Sequence, residues 1–233
     1  MSKIHFMGGE KGGVGKSVLS RLLAQYFIDR NVPFKVFDAD LSHGAMMRYY
    51  TDFTQPVDIT RFDNADSIAE QTIESGASTI VDLAAQTARP LRQWIHETGL
   101  SELADEFGLN LYFWHVMDDG ADSLKLLNNL LDDYGEHAEV VIACNYGRGS
   151  DFSHLKEATI DQRIEELEAS VIDIPALHVP AMRKIDHISA SFWAAANNSN
   201  SSLGPTLGLL ERQRVKTWIQ KTYDQFGRLD LDK

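Results

Sequence analysis

Apolar residues fall along this chain in two alternating patterns. One is the short continuous run, seen at residues 3–7, 34–37, 79–83, 109–116, 139–143 and 171–174. The other is the helical repeat, with apolar residues three and four apart. It covers residues 17–30, 66–75, 89–98, 101–107, 121–134, 155–169 and 213–226. A continuous apolar run suits a strand buried on both faces. Strands that alternate with helices imply right-handed crossovers and a mostly parallel sheet. The expected fold class is therefore α/β: a twisted, mostly parallel β-sheet flanked by helices on both faces. One domain is expected over residues 1–233, with the helical stretch 206–228 part of it. No internal repeat is visible. Residues 197–205 are polar and turn-rich, and read as a surface loop or a partner-binding loop.

Composition narrows this little. The 233 residues are 43% apolar and 24% charged, as in an ordinary globular protein. A single cysteine, Cys144, excludes an internal disulfide and fits a reducing compartment. No apolar run approaches the ~20 residues of a membrane span, and the first residues do not read as a signal peptide. The expected location is the cytoplasm, with association with the nucleoid as a further station. The net charge of −12 argues against a body that is basic all over, though not against a local basic patch. The acid-rich stretch 151–173 reads as a solvated helix face. The histidines show no metal-ligand spacing.

Chemistry enters at the first strand–helix junction. The segment Glu10-Lys11-Gly12-Gly13-Val14-Gly15-Lys16-Ser17 follows an apolar run and opens a helical one. A glycine-rich turn there lets successive backbone N–H groups, with the helix N-terminus behind them, face a phosphate. The nucleotide-binding candidates are Gly12, Gly13, Val14, Gly15, Lys16, Ser17 and Val18. Lys16 supplies positive charge and Ser17 a hydroxyl for Mg²⁺. Asp82 closes the run 79–82, where a carboxylate reaches the metal through a water or else caps a turn. Asp38 and Asp40 close the run 34–37. All of these lie at carboxyl ends of strands, where ligands bind on such sheets.

The usual phosphate-loop pattern begins with glycine, where this chain has Glu10, and a second lysine, Lys11, precedes Gly12-Gly13. The run from Lys11 to Ser17 resembles the deviant Walker A motif of the ParA/MinD family of dimeric P-loop ATPases. That resemblance implies a P-loop NTPase fold, bound ATP with Mg²⁺, and slow, partner-stimulated hydrolysis to ADP and phosphate. It implies that Lys11 crosses a nucleotide-dependent homodimer interface to the other subunit's phosphates. Lys11, Lys16 and Asp40 are then the catalytic candidates, with Asp40 on the attacking water. Ser17, Asp38 and Asp82 are the metal candidates. Two departures stand out. The segment after Asp40 reads Leu41-Ser42-His43-Gly44, and the one after Asp82 reads Leu83-Ala84-Ala85-Gln86. The family often has prolines at both places. Gln86 contacts water or a partner subunit, or is a plain turn residue.

No N-K-x-D or T-K-x-D stretch for guanine is present, so ATP is expected over GTP. The resemblance places Asn145 against adenine, with Pro180 in the loop over its other side. It also implies that the ATP dimer partitions or positions a cargo, such as a plasmid, a chromosome region or a protein assembly. An adaptor protein on the cargo would stimulate hydrolysis. Residues 212–228 form a basic amphipathic stretch whose apolar positions are Val215, Trp218, Ile219, Thr222, Tyr223 and Phe226. It packs on the sheet, offers Arg212, Arg214 and Lys216 to nonspecific DNA, or lies on a membrane. The acids at 230 and 232 weigh against the membrane. The alternative function is a scaffold or regulator that binds ATP, or a MinD-like membrane-associated positioning protein, with little turnover.

Overall fold

The computed structural model describes residues 2–8, 10–42, 44–198 and 207–232. Among them the strands are β1 (Lys3–Gly8), β2 (Phe34–Asp38), β3 (Thr54–Pro56), β4 (Ser78–Asp82), β5 (Asn110–Met117), β6 (Glu139–Asn145) and β7 (Ser170–Ile174). They form one seven-stranded sheet in the order β3-β2-β4-β1-β5-β6-β7, and every neighbouring pair is parallel. The helices are α1 (Lys16–Arg30), α2 (Ala45–Tyr49), α3 (Phe62–Ser75), α4 (Ala88–Thr98), α5 (Leu100–Phe107), α6 (Ala121–Tyr134), α7 (Ala158–Glu166), α8 (Val179–His187), α9 (Phe192–Asn197) and α10 (Leu209–Phe226).

After β1 the chain builds one side of the sheet through β4, then crosses over to build the other side from β5. The carboxyl end of β1 therefore opens between β4 and β5, the position where such sheets bind ligands. All six residues of β1 are buried, the polar Lys3 and His5 included, because this central strand is covered on both faces. Ile4 and Phe6 join a core beneath α3, α4 and α5 that includes Val81, Trp94 and Phe113. Met7 faces the opposite core with Leu19, Leu22, Leu23 and Phe27 of α1. Each such side chain contributes about 1.5–3 kcal/mol on burial.

The apolar face of α10 closes this second core. Val215, Trp218, Tyr223 and Phe226 are buried, and the Trp218 indole donates to the Pro175 carbonyl at 2.6 Å. The Tyr223 hydroxyl donates to Asp29 at 2.8 Å. Of the three readings of this helix, packing is the one its apolar face adopts. No helix among the described residues is long and apolar enough to cross a membrane.

Five short elements lie outside the sequence expectation: β3, α2, α8, α9 and a 3₁₀ turn at Thr51–Phe53. The stretch 155–169 is broken into a 3₁₀ turn, Ser153–Lys156, and α7. Of the polar loop at 197–205, residues 199–205 lie outside the described residues, as do Gly9 and His43.

Candidate functional site

The loop from 10 to 15 rises from β1 and ends in the first turn of α1. Gly13 (φ 79°) and Gly15 (φ 106°) both occupy backbone space that favours glycine. A Cβ on Gly12 or Gly13 would meet nothing within 4 Å, whereas one on Gly15 would lie 2.3 Å from the Asn145 amide nitrogen. No side chain caps the N-terminus of α1. Its first N–H groups therefore point at the loop with no side chain in their way, an arrangement suited to an anion.

Lys16 is 8% exposed, and its ammonium donates to the Lys11 carbonyl at 3.1 Å across the turn. Burial lowers its pKa from the ordinary lysine value, while Asp82 and Asp40 oppose that shift. One small space thus gathers Lys16 with two of the carboxylates anticipated from sequence. Asp82 is 2% exposed and accepts from the Ser20 hydroxyl at 2.8 Å. Burial pushes its carboxyl up to about 7, a shift that the Ser20 and Ser17 hydroxyls partly reverse.

Asp38 and Asp82 are register partners on adjacent strands, and both are buried. Asp38, however, gives both carboxylate oxygens to backbone amides. Oδ2 accepts from Met46 and Met47 at 2.9 and 3.2 Å, and Oδ1 from Asp40 at 3.1 Å. Burial raises its pKa, against the pull of those amides. Its bonds fix the start of α2 and the turn that carries Asp40. Asp40 in turn accepts from the Ser42 amide and hydroxyl at 3.1 and 2.7 Å.

Beyond the turn, α2 is clamped to the last turn of α8 and the segment after it. The Arg21 guanidinium is 3% exposed and lies 3.6 Å from the centre of the Tyr49 ring and 4.3 Å from that of Phe192. It bonds Asp186 at 3.0 Å, and the Tyr49 hydroxyl donates to the same carboxylate oxygen at 3.0 Å. Arg48 adds a bond to Ser189 at 2.6 Å and another to the Asp186 carbonyl. After β4, Gln86 holds a left-handed conformation (φ 66°) and is exposed.

Lys11 belongs to the loop, with its side chain turned to the end of β5. Its ammonium meets both carboxylate oxygens of Asp118 at 2.9 Å. The hydrogen bond to Asp118 raises the Lys11 pKa, and Asp118, Asp122 and Asp119 add to this through their charge. Sequence reasoning missed Asp118 and Ser20. Asp118 closes an apolar run just as Asp38 and Asp82 do, and that was the available sign. Ser20 had none, since one serine on a helix marks nothing by itself.

Asn145 stands against the phosphate loop. Its amide nitrogen donates to the Val14 carbonyl at 2.6 Å and its oxygen accepts from Gly147 at 2.9 Å, so both ends brace backbone. Pro180 lies exposed in the first turn of α8. Val18 follows Ser17 in the first turn of α1 and is half-buried. On α10, Arg214 and Lys216 are exposed, while Arg212 is half-buried and donates to the Leu207 carbonyl at 2.9 Å. Among the described residues no cluster of three or more His, Cys, Asp or Glu side chains could hold a metal by itself. A magnesium ion that takes most of its oxygens from phosphate and water, with Ser17 and Asp82 beside it, fits this donor set.

No family model matches the chain. It is 26% identical over 240 residues to protein TraL of Escherichia coli, covering 97% of each chain. It is 24% identical over 178 residues to protein MobD of Acidithiobacillus ferrooxidans, covering 74% of this chain and 77% of that one. Among solved structures it is similar to the cell division protein MinD of Aquifex aeolicus, alone (TM-score 0.54) and in complex with MinC (TM-score 0.57). Both comparisons are at 12% identity and cover 96% of this chain, with 98% and 96% of those chains. The seven-stranded parallel sheet and its helices have the MinD fold.

Proposed function

We propose that this chain, which has the fold of MinD and a phosphate loop with two lysines, is an ATP-driven switch of the ParA/MinD kind. It binds Mg-ATP, pairs with a second copy, and hydrolyses the nucleotide slowly to partition or position a cargo. The observation that carries this reading is the convergence of Lys16, Ser17 and Asp82 at an uncapped helix N-terminus, with Lys11 beside them.

In this reading the loop amides and Lys16 hold the β- and γ-phosphates. The bound metal neutralises charge on the transferring phosphoryl group. Ser17 and Asp82 would hold that metal with Asp38 in its outer shell, and Asp38 also shapes the turn that presents Asp40 to the attacking water. Lys11 acts from the opposite subunit, where its ammonium supplies charge at the moment of transfer. The end of β6 at Asn145 and the start of α8 at Pro180 flank the base. Asn145 would turn one amide end from the backbone to adenine. Arg214 and Lys216, with Arg212 behind them, form the surface offered to nonspecific DNA. A cargo-borne adaptor protein accelerates turnover.

Sedimentation with ATP and Mg²⁺ tests the reading. Lys16→Ala abolishes ATP binding, and Lys11→Ala retains binding but loses the ATP-dependent dimer. Unchanged nucleotide affinity in Lys16→Ala would remove the phosphate-loop assignment. A dimer indifferent to Lys11→Ala would remove its action between subunits.

A further inference from the structure

We propose that Asp118 is a positioning residue that parks Lys11 within its own subunit and thereby sets how much ATP is needed to form the dimer. The inference rests on the reading that Lys11 acts between subunits. Three observations carry it. First, both oxygens of Asp118 meet the Lys11 ammonium at 2.9 Å, so two of its three donors are in use. Second, Asp118 is itself held in place: Oδ1 also accepts from the Gly120 amide at 3.1 Å and the Ser123 hydroxyl at 2.6 Å. Third, the ammonium fits there because residue 120 has no side chain. A Cβ on Gly120 would stand 2.9 Å from the Lys11 nitrogen.

The parked ammonium lies in the field of Asp118, Asp119 and Asp122. A triphosphate is repelled by the same carboxylates, so Lys11 must leave Asp118 to reach one. Each subunit of a pair gives up one such contact. Loss of this ion pair therefore favours the dimer.

Two variants release Lys11 by different means. Asp118→Asn keeps an oxygen for Gly120 and Ser123 but removes the charge. Gly120→Ala crowds the ammonium out while the carboxylate keeps its charge, with Oδ1 3.2 Å from the new Cβ. With a non-hydrolysable ATP analogue and Mg²⁺, both lower the nucleotide concentration at half-dimerisation by roughly fivefold in sedimentation. Asp118→Glu restores a value near that of the unaltered chain. If Asp118→Asn fails to fold, Gly120→Ala carries the test. A threshold unchanged or raised in both variants, while Lys11→Ala still abolishes the dimer, overturns the inference and spares the reading beneath it. A normal ATP dimer in Lys11→Ala overturns both.

Discussion

Gly15 shows how much of the site is carried by single atoms. Its φ of 106° and the Asn145 amide 2.3 Å from where a Cβ would stand leave no room for a side chain. Gly15→Ala is expected to lower ATP affinity at least tenfold by displacing Asn145 and reshaping the loop, with about 1–2 kcal/mol of lost stability. Titration with a fluorescent ATP analogue reads the first effect and urea unfolding the second. Arg21 is the opposite case, a buried cation held by two aromatic faces and one carboxylate. Arg21→Ala is expected to cost about 2–4 kcal/mol in urea unfolding, since it empties a packed site and frees α2 from the α8–α9 turn. A loss below about 1 kcal/mol would show the clamp to be ornamental. Motif residues such as Lys16 and Ser17 were legible in sequence because their chemistry depends on local spacing. The contacts of Asp38 with Met46 and Met47, and of Lys11 with Asp118, were not. They join residues that sequence separation does not relate.

Among the elements, the strands were read best. Six of the seven coincide with apolar-rich runs; the central ones are buried on both faces, whereas the edge strand β7 is buried only at Ile172 and Ile174. The exception, β3, is the three-residue sheet edge Thr54–Pro56, whose polar and proline content hides it. The helix α2 has five residues, too few for a helical period, and it stands because Asp38 caps it. The basic helix α10 was legible as amphipathic, but its partner was not, because a buried stripe looks alike whether it faces a core, DNA or lipid. Since Trp218 and Phe226 are interior, removal of residues 209–233 is expected to give an insoluble or molten chain. A compact, soluble product in gel filtration with an unchanged circular dichroism spectrum would contradict that packing. Charge reversal at Arg214 and Lys216 is expected to leave the melting temperature within about 2 °C, since both are exposed. If the DNA reading holds, it also lowers the salt dependence of duplex binding by about two in log–log slope.

At the scale of the whole molecule, two interior histidines govern behaviour in acid. Burial lowers His5 to about 3 and His115 to about 4, from an ordinary 6.5. The unfolded chain therefore binds two protons that the native chain refuses as pH falls below 6.5, and stability present above that value is lost. Asp82 works the other way. Raised to about 7 from 3.8, it binds a proton in the native state first and offsets one of the two. His5→Phe is expected to remove about one proton from the uptake on unfolding, or about 1.4 kcal/mol per pH unit between pH 6 and 5. Urea unfolding across that range measures it, and parallel pH profiles for the two proteins would refute it.

The four tryptophans are unequally placed. Trp94, Trp114 and Trp218 are at most 5% exposed, whereas Trp193 is 51% exposed. Its backbone amide donates to the Gln25 side-chain oxygen that also receives the Tyr50 hydroxyl at the foot of α2. One indole is thus an intrinsic optical gauge on the segment tied to α2. Acrylamide quenches it almost alone, and a quenching constant that changes when Mg-ATP is added would register α2 in motion without any label.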